Sequence, residues 1–235
     1  MPNTYFRFKQ FIIQQDKSAM KVCTDSCILG AWTAIHLNGA KKILDVGTGT
    51  GLLPLMLAQK SDSLIDSIEL DHESAVQAFE NISNSPWASR IHLHEGNVLN
   101  YPLPSDYDFI ISNPPFFESD LRSPVEKKNK SKHDETLTLD ELMIVLKKYL
   151  KPSGMFSVLL PFHRGGYFEK LAMDNGFFLL EKLTVRQTPS HQPFRNICLF
   201  GLQKKEAPGS EELVIKNETG KYSNEFSNLM SDYYN

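Results

Sequence analysis

The chain has 235 residues, of which 41% are hydrophobic and 23% charged, enough for one globular domain with small additions and a sizeable core. A net charge of −3 excludes a globally basic nucleic-acid coat, yet residues 1–42 carry six Lys/Arg against Asp16 and Asp25, so local basic faces stay open. No apolar run of about 18 residues exists, and "MPNTYFRFKQ" lacks the apolar stretch of a signal peptide, which predicts a soluble, cytoplasmic protein without a membrane partner.

In chain order, "YFRFKQFIIQQ" (5–15) alternates as a strand does, and "DSCILGAWTAIH" (25–36) reads as a helix that Asp25 caps. Residues 1–40 are thus an N-terminal extension, a strand plus a helix packing on the core. Cys23, Cys27 and Cys198 are odd in number and have no metal-ligand spacing, so buried thiols and no metal are expected.

From Lys41 strand and helix signals alternate. "KILDVG" (42–47), "LIDSIELD" (64–71), "RIHLHEG" (90–96) and "YDFIISN" (107–113) read as strands, with helices over "LLPLMLAQ" (52–59) and "HESAVQAFENIS" (72–83). The βαβαβ order predicts an α/β fold with a mostly parallel sheet covered on both faces. The polar interval "PPFFESDLRSPVEKKNKSKHDE" shows no periodicity and exceeds an ordinary connection. A helix resumes at Thr138, where T-L-D-E forms a capping box, and "KPSG" is expected to end it. "MFSVLLP" (155–161) is a strand, and "YFEKLAMDNG" (167–176) a helix with Gly176 as its C-terminal cap. Residues 177–187 and 195–205 form an antiparallel pair. The main domain spans 41–205 and a C-terminal tail 206–235.

Three constellations carry chemistry. "LDVGTGTGLL" puts Gly47, Gly49 and Gly51 between the first sheet strand and its helix, where a tight turn and a helix N-terminus let a ligand approach the backbone. The spacing is neither the dinucleotide G-x-G-x-x-G form nor a P-loop. Glu69 ends the next strand, about twenty residues on, where a carboxylate can take both ribose hydroxyls of an adenosyl ligand. Asn97, after the third strand, is placed to touch an adenine edge.

The third constellation is "NPPF" at 113–116. Asn113 offers a carbonyl acceptor, Pro114 and Pro115 stiffen the loop and turn main-chain carbonyls inward, and Phe116 offers a π-face. An acceptor pair and a flat platform suit the exocyclic amine of a planar base or a planar amide. Accepting both N–H bonds at the Asn113 amide and the Pro114 carbonyl would favour a pyramidal nitrogen whose lone pair can attack an activated methyl donor. Beyond the loop, Arg122, Lys127, Lys128, Lys130 and Lys132 are candidate phosphate contacts; Arg7, Lys9 and Lys21 in the aromatic–basic N-terminal stretch are an alternative RNA face.

"DVGTGTG", "IELD" and "NPPF", in that order, resemble the class I S-adenosylmethionine-dependent methyltransferases that act on amino nitrogens. "FKQFIIQQDKSAMKVCTDSCILGAW", "KHDETLTLDEL" and "YSNEFSNLMSDYY" further resemble the bacterial tRNA(Val) adenine-N6 methyltransferases. The resemblance implies a Rossmann-like, mostly parallel seven-stranded sheet with an antiparallel final strand, and a monomeric enzyme methylating adenine 37 of tRNA1(Val). It further implies that Asp45, Gly47, Gly49 and Glu69 bind S-adenosylmethionine, that Thr24 sits against its methionine end, and that Asn113 to Phe116 hold the adenine. Cys23 stands where that family commonly has Gly, and Asn97 where many methyltransferases have Asp. The alternatives are another amino nitrogen, guanine N2 in rRNA or a protein glutamine N5, and a catalytically silent RNA-binding scaffold.

Overall fold

A computed structural model describes residues 3–18, 20–104, 106–115 and 137–234. An N-terminal hairpin, β1 (Tyr5–Arg7) and β2 (Ile12–Gln14), precedes helix α1 (Thr24–Ile35). The alternating region then gives β3 (Lys42–Val46), α2 (Leu52–Lys60), β4 (Leu64–Glu69), α3 (His72–Ser83), β5 (Ile91–Glu95) and β6 (Tyr107–Ser112). After the interval come α4 (Leu139–Tyr149), β7 (Leu150–Pro161), α5 (Gly165–Asp174), β8 (Phe178–Arg186) and β9 (Arg195–Gly201). The chain closes with β10 (Gly209–Val214) and α6 (Asn224–Met230).

The main sheet has eight strands in the order β10-β8-β9-β7-β6-β3-β4-β5. That is one more than the seven expected: β10 pairs in parallel with β8 at the edge, and β9 alone runs antiparallel to its neighbours. Alternate residues of each strand feed two cores. Ile43, Ile65, Phe109 and Ile111 pack with α1, α2 and α6 on one face, while Leu44, Val46, Ile110 and Phe156 pack with α4 and α5 on the other. Burial on both faces is why these strands read as continuous apolar runs.

Helix α2 is buried from Leu52 through Ala58, as an all-round apolar helix must be. Its Pro54 lies in the first turn, where no intrahelical N–H bond is lost. Helix α1 rests on it at Gly30, where a Cβ would come within 2.6 Å of Met56 Sδ. Asp25 does not cap α1, because the helix begins one residue earlier with Cys23 at the cap position. The Asp25 carboxylate instead pairs with Arg195 Nε at 2.8 Å, tying α1 to the start of β9.

"KPSG" behaves differently from a simple helix stop. Helix α4 ends at Tyr149 and β7 starts at once; β6 Tyr107 faces Leu150 and Phe109 faces Met155, so residues 151–154 form an irregularity inside the strand. The capping box at Thr138 is present, with Thr138 Oγ1 accepting from Glu141 N at 3.2 Å and Glu141 Oε2 accepting from Thr138 N at 2.8 Å. Thr138→Ala is expected to cost about 1 kcal/mol, visible in thermal unfolding as a fall in Tm of about 2–4 °C.

The last thirty residues are part of the packing. Phe226, Met230 and Tyr233 are buried, and Tyr233 Oη donates to Met56 O at 3.0 Å. Among the described residues no helix is long and apolar enough to cross a membrane.

Candidate functional site

The carboxyl ends of β3 to β6 open into a cleft of about 560 Å³, the size of a small-ligand pocket. Its position beside β3 and β6, where the chain switches direction across the sheet, is where open α/β sheets bind ligands. Gly47, Glu69 and Asn97 line one side, and Ser112, Pro114 and Pro115 the other.

The turn after β3 needs its glycines for backbone shape. Gly47 and Gly49 have φ of 77° and 57°, and a Cβ at either would meet nothing within 4 Å. The left-handed backbone demands the residue, and the inner face of the turn stays open. Gly51, also left-handed, is the N-cap of α2. Glu69 reaches across from β4: its Oε2 accepts from Gly49 N at 2.8 Å, and its Oε1 from Leu70 N and Asp71 N at 2.9 and 3.0 Å. The carboxylate therefore holds the glycine turn against β4, and of its roughly four acceptor positions about one remains.

Behind the turn, Asp45 is fully buried, and neither carboxylate oxygen has a hydrogen-bond partner among the described residues; Thr48 Oγ1 and Asn113 Oδ1 are likewise buried and unpartnered. Burial pushes the Asp45 carboxyl up to about 7, and the nearby Glu69 charge adds to the rise. Asn97 uses its own Oδ1 to accept from Leu99 N at 2.9 Å, which leaves its amide N–H groups for a ligand.

Asn113 leaves β6 directly into the loop. Its Nδ2 donates to Ser26 Oγ of α1 at 3.0 Å, and Ser26 Oγ lies 2.9 Å from Cys23 Sγ. The amide is thus anchored through its nitrogen while its carbonyl oxygen is left unspent. Ser26 was not singled out in the sequence, and its only signal there is its place two residues after Thr24, the first residue of α1. Asn81 was also missed. Buried on α3, it donates to Thr50 O and Gln14 O, both at 2.8 Å, and so joins the glycine turn to the N-terminal extension.

The candidate RNA contacts separate. Lys9 Nζ donates to Ser231 O at 2.6 Å, and the neighbouring Asp232 pairs with Lys60 at the far end of α2. Arg7 and Lys9 therefore sit toward the amino edge of the sheet, away from the cleft, because the hairpin turn packs on the C-terminal segment. Lys21 is exposed just ahead of α1, whose first turn reaches the carboxyl edge. Phe116, Arg122, Lys127, Lys128, Lys130 and Lys132 lie outside the described residues.

Residues 32–180 match the family model described as methyltransferase small domain. The chain is 45% identical to the tRNA1(Val) (adenine(37)-N6)-methyltransferase of Dyadobacter fermentans over 84% of this chain and 82% of that one. It is 38% identical to the enzyme of the same name from Parabacteroides distasonis over 100% of this chain and 99% of that one. Among solved structures, a predicted O-methyltransferase from Agrobacterium tumefaciens superposes with a TM-score of 0.68 at 15% identity, covering 87% of this chain and 95% of the other. At that identity the likeness concerns the fold.

Proposed function

Since the chain belongs to the methyltransferase small domain family and to the tRNA1(Val) (adenine(37)-N6)-methyltransferases, we propose that it methylates N6 of adenine 37 in tRNA1(Val), with S-adenosylmethionine as cofactor. The single observation that carries the reading is the Asn113 carboxamide, anchored through Nδ2 with Oδ1 buried and unpartnered, on the chain between the cleft-lining Ser112 and Pro114. We assign catalysis to residues 41–205, working as a monomer in the cytoplasm, with 1–40 and 206–235 as additions.

The donor set suits the cofactor. A buried carboxylate without a partner, Asp45, is costly unless a cation meets it, and the cofactor brings an ammonium and a sulfonium. The open turn at Gly47 and Gly49 leaves room for a ligand against the backbone. Glu69 has one acceptor position for a ribose hydroxyl, and the Asn97 amide faces the adenine side. Thr24, at the start of α1, is assigned to the methionine end. S-adenosylmethionine supplies a methyl group already activated on sulfonium, so the protein's work is positioning and electrostatics.

Adenine N6 is a poor nucleophile because its lone pair is delocalised into the ring. Asn113 Oδ1 and the Pro114 carbonyl accept its two N–H groups, which favours a pyramidal nitrogen with the lone pair directed at the donor. Pro114 and Pro115 restrict the loop so that these acceptors are held before the base arrives. Phe116 is assigned the stacking platform. The proton released by the methylated nitrogen passes to solvent; no side-chain base is required.

Labelled methyl transfer to total tRNA from a strain lacking the gene, followed by nucleoside mass spectrometry, tests the reading. N6-methyladenosine is expected; label in another nucleoside such as N2-methylguanosine, or none, would overturn it. Glu69→Ala should weaken S-adenosylmethionine binding in calorimetry by about 1.5–3 kcal/mol, both from the lost ribose contact and from the loosened Gly49 turn. An unchanged affinity would remove Glu69 from the cofactor site.

A further inference from the structure

Resting on the tRNA reading above, we propose that the β7–α5 turn, with Phe162, His163 and Arg164, together with Tyr167 in the first turn of α5, is the surface that docks the single-stranded RNA flanking the target adenine. Ser112 of β6 is level with Val158 of β7, so Asn113 is level with Leu159. Phe162 follows three residues later, about 10 Å farther along at about 3.3 Å per residue. The cofactor cleft occupies the β3–β4–β5 side of Asn113. A base whose amine sits at Asn113 must therefore trail its sugar and phosphates over the ends of β7 and β9.

What waits there is chemically selective. Phe162 is 44% exposed and Tyr167 50% exposed, and the Arg164 guanidinium lies 5.1 Å from the Tyr167 ring centroid. His163 is exposed, and Arg164 has no carboxylate partner among the described residues. The turn and the facing β8–β9 connection, residues 161–168 and 187–195, contain no Asp or Glu. Single exposed rings are ordinary. Two rings, a stacked guanidinium and an imidazole within six residues, without an acid among them, fit an anionic partner that also offers flat faces. Single-stranded RNA is that partner: its unstacked bases lie on aromatic and Arg planes and its phosphates take the cations.

The turn is also built to hold these groups still. Phe162 N donates to Phe194 O at 3.0 Å and Asn196 Nδ2 donates to Phe162 O at 3.4 Å. A Cβ at Gly165 would come within 2.4 Å of the same Asn196 Nδ2, so the chain crosses this point without a side chain. The backbone is fixed while the side chains face solvent, which lowers the ordering cost of binding.

Steady-state kinetics on unmodified tRNA test the proposal. Arg164→Glu, Phe162→Ala and Tyr167→Ala are each expected to raise KM for tRNA about tenfold, with kcat and S-adenosylmethionine affinity little changed, and Tyr167→Phe should restore the wild-type value. Arg164→Gln should lower the slope of log K against log[salt] by about 0.7–0.9, whereas Tyr167→Ala leaves it alone. Retained cofactor binding shows that each variant is folded. Wild-type KM and salt slope in all of them would overturn the docking surface while the methyltransferase reading stands. Failure of the wild-type protein to methylate tRNA would overturn that reading and the surface with it.

Discussion

Asn113→Ala is expected to lower turnover on tRNA by about 100-fold or more while S-adenosylmethionine affinity stays within about twofold, the signature of an acceptor that acts at the reacting nitrogen rather than on the cofactor. The geometry sharpens the expectation. The amide nitrogen is committed to Ser26 Oγ, so the carbonyl oxygen is the atom left for substrate. Removing Ser26 Oγ leaves that oxygen in place but frees the amide to rotate, so Ser26→Ala should lose about tenfold in turnover. In the Asn113→Ala background the same change should add little, because the two side chains act as one unit. Near-normal turnover by Asn113→Ala would make the loop merely structural. Fully additive losses would detach Ser26 from the amide.

Much of this site was legible in the sequence because its parts are local. The glycine turn needs left-handed backbone at Gly47, Gly49 and Gly51, and only glycine adopts it without strain. Glu69 and Asn113 stand at the ends of strands whose apolar runs are bounded by polar residues, so their place on the carboxyl edge follows from topology. Ser26 could not be found this way: it meets Asn113 from 87 residues away, through the packing of α1 on the sheet. β10 was missed for another reason, since an exposed edge strand carrying Glu211 and Glu212 lacks the apolar run that marks the interior strands. At Lys9 the sequence alone does not separate two readings, because aromatic–basic alternation is shared by an RNA-facing edge and by a hairpin whose rings pack inward. Phe8 and Phe11 are stacked 4.5 Å apart and buried, and Lys9 is left to cap the C-terminal segment. Asp45 was legible as a position, but its protonation follows from a burial that no local pattern reveals.

Lowering the pH from 7 to 5 is expected to weaken S-adenosylmethionine binding by about 50-fold in all, the slope approaching about tenfold per unit only below pH 6, and Asp45→Asn should abolish that dependence. In the free protein the buried carboxyl titrates at about 7. A cationic ligand favours the ionised form, so below about pH 7 binding must first remove a proton from Asp45, whereas above it the site is already charged. The α-amino group of the ligand stays protonated throughout this window, so the slope belongs to the protein. The same residue gives folding the opposite pH dependence. Its folded pKa is raised above the ordinary 3.8, so between about 4 and 7 the native state holds a proton that the unfolded chain releases. Its contribution to stability therefore falls as pH rises through that window and is level above it. In Asp45→Asn both trends should vanish: binding at pH 8 weaker than wild type for want of the charge, but flat down to pH 5. Calorimetric titrations at four pH values, with thermal unfolding of the free protein at each, measure both. An equal slope in the wild type and in Asp45→Asn would show that some other group carries the proton and would take Asp45 out of the cation's reach.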